Sequence, residues 1–143
     1  VYFLILNGPN LNLLGRRNPD IYGNATFEDT LAAIREDFND ISIEYAQSNS
    51  EGEIIDRLHS HGLNPDCAGI ILNPGAYAHY SYAIADAIEA VTAPVIEVHI
   101  SNIHAREEFR HTSVTARAAK GVITGLGRDG YAMALLYLIR LSQ

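Results

Sequence analysis

A chain of 143 residues with ordinary apolar content and a formal net charge of −7 is long enough to bury a substantial core. Its acidic balance argues against a nucleic-acid backbone as partner. The lone cysteine, Cys67, excludes an internal disulfide and favours a reducing compartment. The apolar run at the start is far shorter than the ~20 residues of a membrane span. It also lacks a basic leader and a small-residue cleavage site, so no signal peptide is expected and a cytoplasmic location is. Among the basic residues only Lys120 is a lysine; the rest are arginines, in part paired as Arg16-Arg17 and Arg106/Arg110. Arginine offers a rigid, always-charged fork to planar oxyanions, which points to a small anionic ligand or, equally, to plain surface arginine.

In chain order, Tyr2–Leu6 reads as a buried strand that runs into the polar turn Asn7-Gly8-Pro9-Asn10. Leu14 to Gly23 is a loop bracketed by Gly15 and Gly23, a candidate lid. Thr26 caps a first helix, with Asp29 three residues on, and Ile41–Ala46 is a second strand. Ser50 begins a helix that runs to His61-Gly62, where Gly62 suits the position just past its end. Ala68–Leu72 is a third strand, and His79 to Ala90 carries alanine and isoleucine at helical spacing. Strands at Val95–Ile100 and Gly121–Thr124 follow, and Asp129 to Leu141 is a strongly apolar closing helix. This order, without linker or repeat, predicts one α/β domain over residues 1–143, doubly wound and flavodoxin-like, with a five-stranded parallel sheet.

Such folds bind ligands at the C-terminal strand ends. Here those ends release Asn7-Gly8-Pro9-Asn10, Asn73-Pro74-Gly75 and His99-Ile100-Ser101-Asn102 at one edge of the sheet. Glu97 and His99 are two apart, so in a strand they face the same side. A carboxylate and an imidazole there are costly unless paired. The pair reads either as a general acid or base oriented by its carboxylate or as a structural polar pair. Arg106 and Arg110, four apart, are predicted to share one helical face, where a bound anion or Glu107 and Glu108 would offset their repulsion.

Neither a zinc-type spacing nor a phosphate-loop or dinucleotide fingerprint is present. Lys120 lies at the wrong end of its strand for imine chemistry at the site. Tyr22 beside Arg17 makes a workable general base, with a packing aromatic as the alternative reading. A tyrosine of pKa ~10 is about one part in a thousand ionised at neutral pH, a cost of ~4 kcal/mol that neighbouring guanidiniums can offset. A flavodoxin-like cofactor binder would want flanking aromatics, and a phospho-acceptor domain would want carboxylates after the first strand, where this chain has asparagines.

The runs NGPNLNLLGRRNPDIYG, ILNPGAYAHYSYAIADA, PVIEVHISNIHAREEFRHTS and GVITGLGRDGY closely resemble the type II dehydroquinases (3-dehydroquinate dehydratases), in order and spacing, over essentially the whole chain. The resemblance implies anti elimination of water from 3-dehydroquinate through an enolate to give 3-dehydroshikimate, with no cofactor, metal or imine. It implies a place in the shikimate pathway, with quinate catabolism as the alternative. Carried over, Tyr22 is the base and Arg17 keeps it ionised. His99, set by Glu97, protonates the leaving hydroxyl, and Asn10 positions a water at the enolate. Asn73, Ile100 and Ser101 receive the substrate carboxylate; His79 and Arg110 bind ring hydroxyls, and Arg106 adds positive charge near the lid. The family pattern further implies a homododecamer, a tetramer of trimers, with Asp86 reaching a neighbouring chain's site, and no nucleic-acid or membrane partner.

Overall fold

Five apolar runs become the strands of one parallel sheet: β1 (Tyr2–Asn7), β2 (Ile43–Gln47), β3 (Cys67–Asn73), β4 (Val95–His99) and β5 (Gly121–Thr124). The structure is a computed structural model and describes residues 1–16 and 18–143. The strands lie in the order β2-β1-β3-β4-β5, the expected doubly wound arrangement. A one-turn helix α1 (Pro19–Tyr22) precedes the longer helices α2 (Phe27–Asp37), α3 (Glu51–Gly62), α4 (Tyr82–Ala90) and α5 (Asp129–Ser142). Among the described residues no helix is long and apolar enough to cross a membrane.

Alternation along the strands sends side chains into two cores. On one face Phe3, Ile5, Ile71 and Val98 pack with Phe27, Leu31 and Ile34 of α2 and with Tyr131, Leu135 and Leu138 of α5. On the other, Leu4, Leu6, Ile70 and Leu72 meet Ile54 and Leu58 of α3 and Ile84 and Ile88 of α4. In each helix the buried residues fall three or four apart, the signature of one apolar stripe. Hydroxyl caps begin three of these helices. Thr26 and Asp29 form a reciprocal capping box, and Ser50 and Ser81 accept the backbone N–H of Glu53 and Ile84.

Three local expectations need correction. The stretch 79–90 is not one helix: Gly75–His79 is a 3-10 turn, and α4 starts only after the Ser81 cap. Gly62 does not leave α3 in a left-handed conformation. It is the last helical residue, and a Cβ there would lie 2.5 Å from Cβ of Val91, so its smallness serves close packing. Arg106 and Arg110 do not share a helix, because two 3-10 turns, Ile103–Ala105 and Glu108–Arg110, are broken between them.

The order of strands reverses direction between β1 and β3, and their ends fix the site. Asn7 is in register with Asn73, and the Gly8 N–H donates to the Asn73 carbonyl at 2.7 Å. A Cβ on Gly8 would stand 2.7 Å from the Pro74 carbonyl oxygen and 2.8 Å from its carbon, both backbone atoms that cannot rotate away. Gly8→Ala is therefore expected to lower stability by at least ~1–3 kcal/mol, the usual range for overpacking, read as a lower denaturant midpoint with an unchanged slope.

Candidate active site

The C-terminal ends of β1, β3 and β4 open into a pocket that holds about 590 Å³ of empty space, part of it continuous with solvent. Asn10, Tyr22, Asn73, His79, His99 and Ser101 line it, joined by Ile100 and by both arginines, Arg106 and Arg110. Residues predicted from five separated stretches thus converge on one cavity. The Arg17 prediction lies outside the described residues.

His99 and Glu97 point from β4 toward the α3/α4 side of the sheet, as their spacing required. Glu97 is fully buried, and its Oε2 accepts His99 Nε2 at 2.7 Å. The other imidazole nitrogen, Nδ1, is the one available to the pocket that His99 lines. Two hydroxyls that sequence reasoning missed also hold the carboxylate: Ser113 donates to Oε2 at 2.6 Å and Thr115 to Oε1. Pairing of β3 with β4 ends at Leu72↔Glu97, and Ile100 and Ser101, just past the end of β4, line the pocket.

Tyr22 closes the opposite wall. Arg106 Nη1 donates to its hydroxyl at 2.9 Å and to Ser101 Oγ at 3.2 Å, and the guanidinium carbon sits 5.6 Å from the ring centroid. Arg106 Nε is buried without a hydrogen-bond acceptor among the described residues, its carboxylate neighbour Glu107 being 3.8 Å away. The guanidinium is thus shared between the phenol and Ser101, with Glu107 nearby. Arg110 instead bonds Glu107 at 2.9 Å, which pulls that carboxyl below its ordinary pKa. A third arginine anchors the tyrosine's backbone: Arg128, which precedes α5, donates to the carbonyls of Tyr22, Ala25 and Thr26. The turn GLGRDG concealed that role, because nothing local marks an arginine whose acceptors lie about a hundred residues earlier.

Asn73 forms part of the floor, nearly buried. Its amide nitrogen donates to the Tyr131 hydroxyl at 2.9 Å, and Tyr131 donates in turn to Asn7 Oδ1 at 2.8 Å. The second N–H of Asn73 is left for a ligand. A tyrosine in the most buried stripe of α5 is itself a sequence signal, since a buried phenol needs a partner. Asn10 lies at the rim with a left-handed backbone (φ 69°), its N–H bonded to Asn49 Oδ1 at 3.0 Å. Asp86 is apart from all of this, exposed on α4 in a separate surface cleft with Tyr82, Glu89 and Arg117. Lys120 is likewise remote from the pocket. Among the described residues no cluster of three or more His, Cys, Asp or Glu could hold a metal ion.

His79 stacks on His99 with ring centroids 6.3 Å apart, and its Nδ1 lies 2.9 Å from the Thr112 carbonyl, an acceptor, so Nδ1 carries a proton. Partial burial lowers its pKa, helped by the neighbouring His99 and Arg110 and opposed by the Thr112 bond. A neutral His79 then presents Nε2 as an acceptor for a hydroxyl. Below the unfolded-state value of ~6.5 the unfolded chain takes up a proton that the folded one resists, so this contribution to stability is present above that pH and lost as pH falls. His79→Asn, which retains an N–H donor, is expected to show a smaller loss of urea midpoint between pH 7 and pH 5 than the parent chain.

The dehydroquinase class II family matches residues 1–139. A 3-dehydroquinate dehydratase of Thermotoga neapolitana is 54% identical, covering 98% of this chain and 95% of the relative. One from Bacillus licheniformis is 54% identical, covering 99% and 98%. Among solved structures, the type II dehydroquinase from Butyrivibrio crossotus superposes with a TM-score of 0.93 at 48% identity, covering 97% of each chain. That of Propionibacterium acnes gives 0.90 at 45%, covering 97% of this chain and 96% of the other.

Proposed function

The chain belongs to the class II dehydroquinase family and is a hydro-lyase, and on that premise we propose that it removes water from 3-dehydroquinate by anti elimination through an enolate. The observation that carries the mechanism is the disposition of two proton-transfer groups on one pocket: Tyr22 bonded to Arg106, and His99 bonded to buried Glu97. Tyr22, as phenolate, takes the proton from the carbon beside the ketone. The electron pair passes into an enolate, which Asn10 stabilises through a positioned water. Collapse of the enolate expels the hydroxyl, to which His99 supplies a proton from its pocket-side nitrogen, leaving a conjugated enone and water. A carboxylate substrate is received by Asn73 and by Ile100 and Ser101, which line the pocket at the ends of β3 and β4. His79 and Arg110 take ring hydroxyls.

Arg17 and Arg106 stabilise the phenolate in this scheme, as an N–H donor favours the charged form of the group it bonds. Turnover is followed by the absorbance of the enone on adding 3-dehydroquinate. Tyr22→Phe should lower kcat by ~10²–10⁴, the range of general acid–base catalysis, while product affinity changes little because the carboxylate cradle is intact. A Tyr22→Phe enzyme with near-normal kcat removes the base from Tyr22. We place the reaction in aromatic amino acid biosynthesis; expression induced only by quinate would assign it to quinate breakdown instead.

We further propose a homododecamer built from trimers, in which Asp86 completes the site of a neighbouring subunit. Its support within one chain is that Asp86 is exposed and lies outside the pocket, beside an exposed Tyr82. Light scattering is expected to give a mass near twelve chains; a fully active monomer would overturn both the assembly and the shared site.

A further inference from the structure

We propose that Ser113 and Thr115 are positioning residues for the proton donor, acting on His99 through Glu97. This rests on the reading of His99 as the acid. Glu97 sits in the central part of the sheet with no exposed surface, and its register partners Leu72 and Val122 offer it no charge. An ionised carboxylate there costs several kcal/mol unless its lone pairs are met. Three donors meet them. His99 Nε2 and Ser113 Oγ share Oε2, at 2.7 and 2.6 Å, and Thr115 Oγ1 takes Oε1. Both oxygens are pinned, so the carboxylate cannot rotate to release the imidazole.

The hydroxyls are themselves aimed. The Ala116 N–H donates to Ser113 Oγ at 3.1 Å, which occupies one lone pair and leaves the hydroxyl proton for Glu97. Thr115 is fully buried, and Ser113 Oγ, 3.2 Å from its hydroxyl, is the other polar neighbour of that oxygen. A relay therefore runs from the Ala116 amide through Ser113 and Glu97 to His99. It fixes the imidazole with Nε2 inward and Nδ1 toward the pocket. The charged and titratable groups facing this assembly from other elements are His79, stacked on His99, and Arg110 and Arg106 across the cavity. Among the described residues none of these groups hydrogen-bonds Glu97, so the two hydroxyls complete its coordination beside His99.

A purely structural role would lower stability and leave the chemistry of the folded fraction unchanged. The positioning role predicts a split between kcat and KM, because Ser113 and Thr115 touch the acid's support and not the substrate. Ser113→Ala and Thr115→Val should each lower kcat roughly tenfold, a part of the ~10²–10⁴ that acid catalysis supplies, with KM and product affinity within about twofold, the split that marks an interaction felt in the transition state. Thr115→Ser, which keeps the hydroxyl in a smaller side chain, should restore kcat. In the double variant with Glu97→Gln the Ser113→Ala loss should largely vanish, since both act through one path. Kinetics are normalised to the folded fraction from circular dichroism. Parental kcat in Ser113→Ala and Thr115→Val, or equal losses in Thr115→Ser and Thr115→Val, would overturn the proposal while His99→Ala remained inactive. A fully active His99→Ala would instead remove the reading on which it rests.

Discussion

One phenolic hydroxyl ties together the two strands between which the site opens. Tyr131 donates to Asn7 and accepts from Asn73, residues in register at the ends of β1 and β3. All three are essentially buried, so each polar group would cost ~1–3 kcal/mol if left alone. Burial pushes the Tyr131 phenol well above its ordinary pKa, so it stays a neutral donor at working pH. The floor of the pocket, the crossover of the sheet and the docking of α5 are therefore one interaction. With that edge fixed, Gly8 can meet the Asn73 carbonyl, and the chain beyond β4 has a wall to face.

The rest of the site is suspended from this edge by cations and hydroxyls that come from elsewhere in the chain. Arg128 holds the backbone around Tyr22, and Arg106 holds its hydroxyl. Glu97 holds His99 from behind. Tyr22 and His99 are thus each held by a charged side chain from another position in the chain.

Strands and their order could be read because parallel strands covered on both faces leave continuous apolar runs. Glu97 and His99 could be read because two residues of chemistry in such a run demand a partner and their spacing names it. The resemblance supplied the pocket's other members, all but Asp86 and Glu97 lining it where described. What was not legible has a common cause. Arg106 and Arg110 look helical by spacing, yet a break at Arg106-Glu107 separates two 3-10 turns, and their shared cavity is a tertiary fact. Ser113, Thr115, Tyr131 and Arg128 find their acceptors between 16 and 124 residues away, and no local pattern encodes that.

The connection after Arg110 has an unusual concentration of duties. Within five residues the Thr112 carbonyl takes His79, Val114 bonds the Ala78 carbonyl, and Ser113 and Thr115 take Glu97, with Ala116 aiming Ser113. Both imidazoles of the pocket are therefore referenced to one short piece of backbone. A residue inserted there would rotate every later side chain off its acceptor and dislocate both histidines together. The turn at Asn64–Asp66, at the opposite end of the sheet, bonds within itself, to the His61 carbonyl near the end of α3, and to Tyr2 of β1 and Cys67 of β3, and none of these bonds reaches the pocket. Drift in chain length is consequently cheap at that end and forbidden at this one, so tags or grafted segments belong at the 64–66 turn, and the 112–116 connection must keep its length.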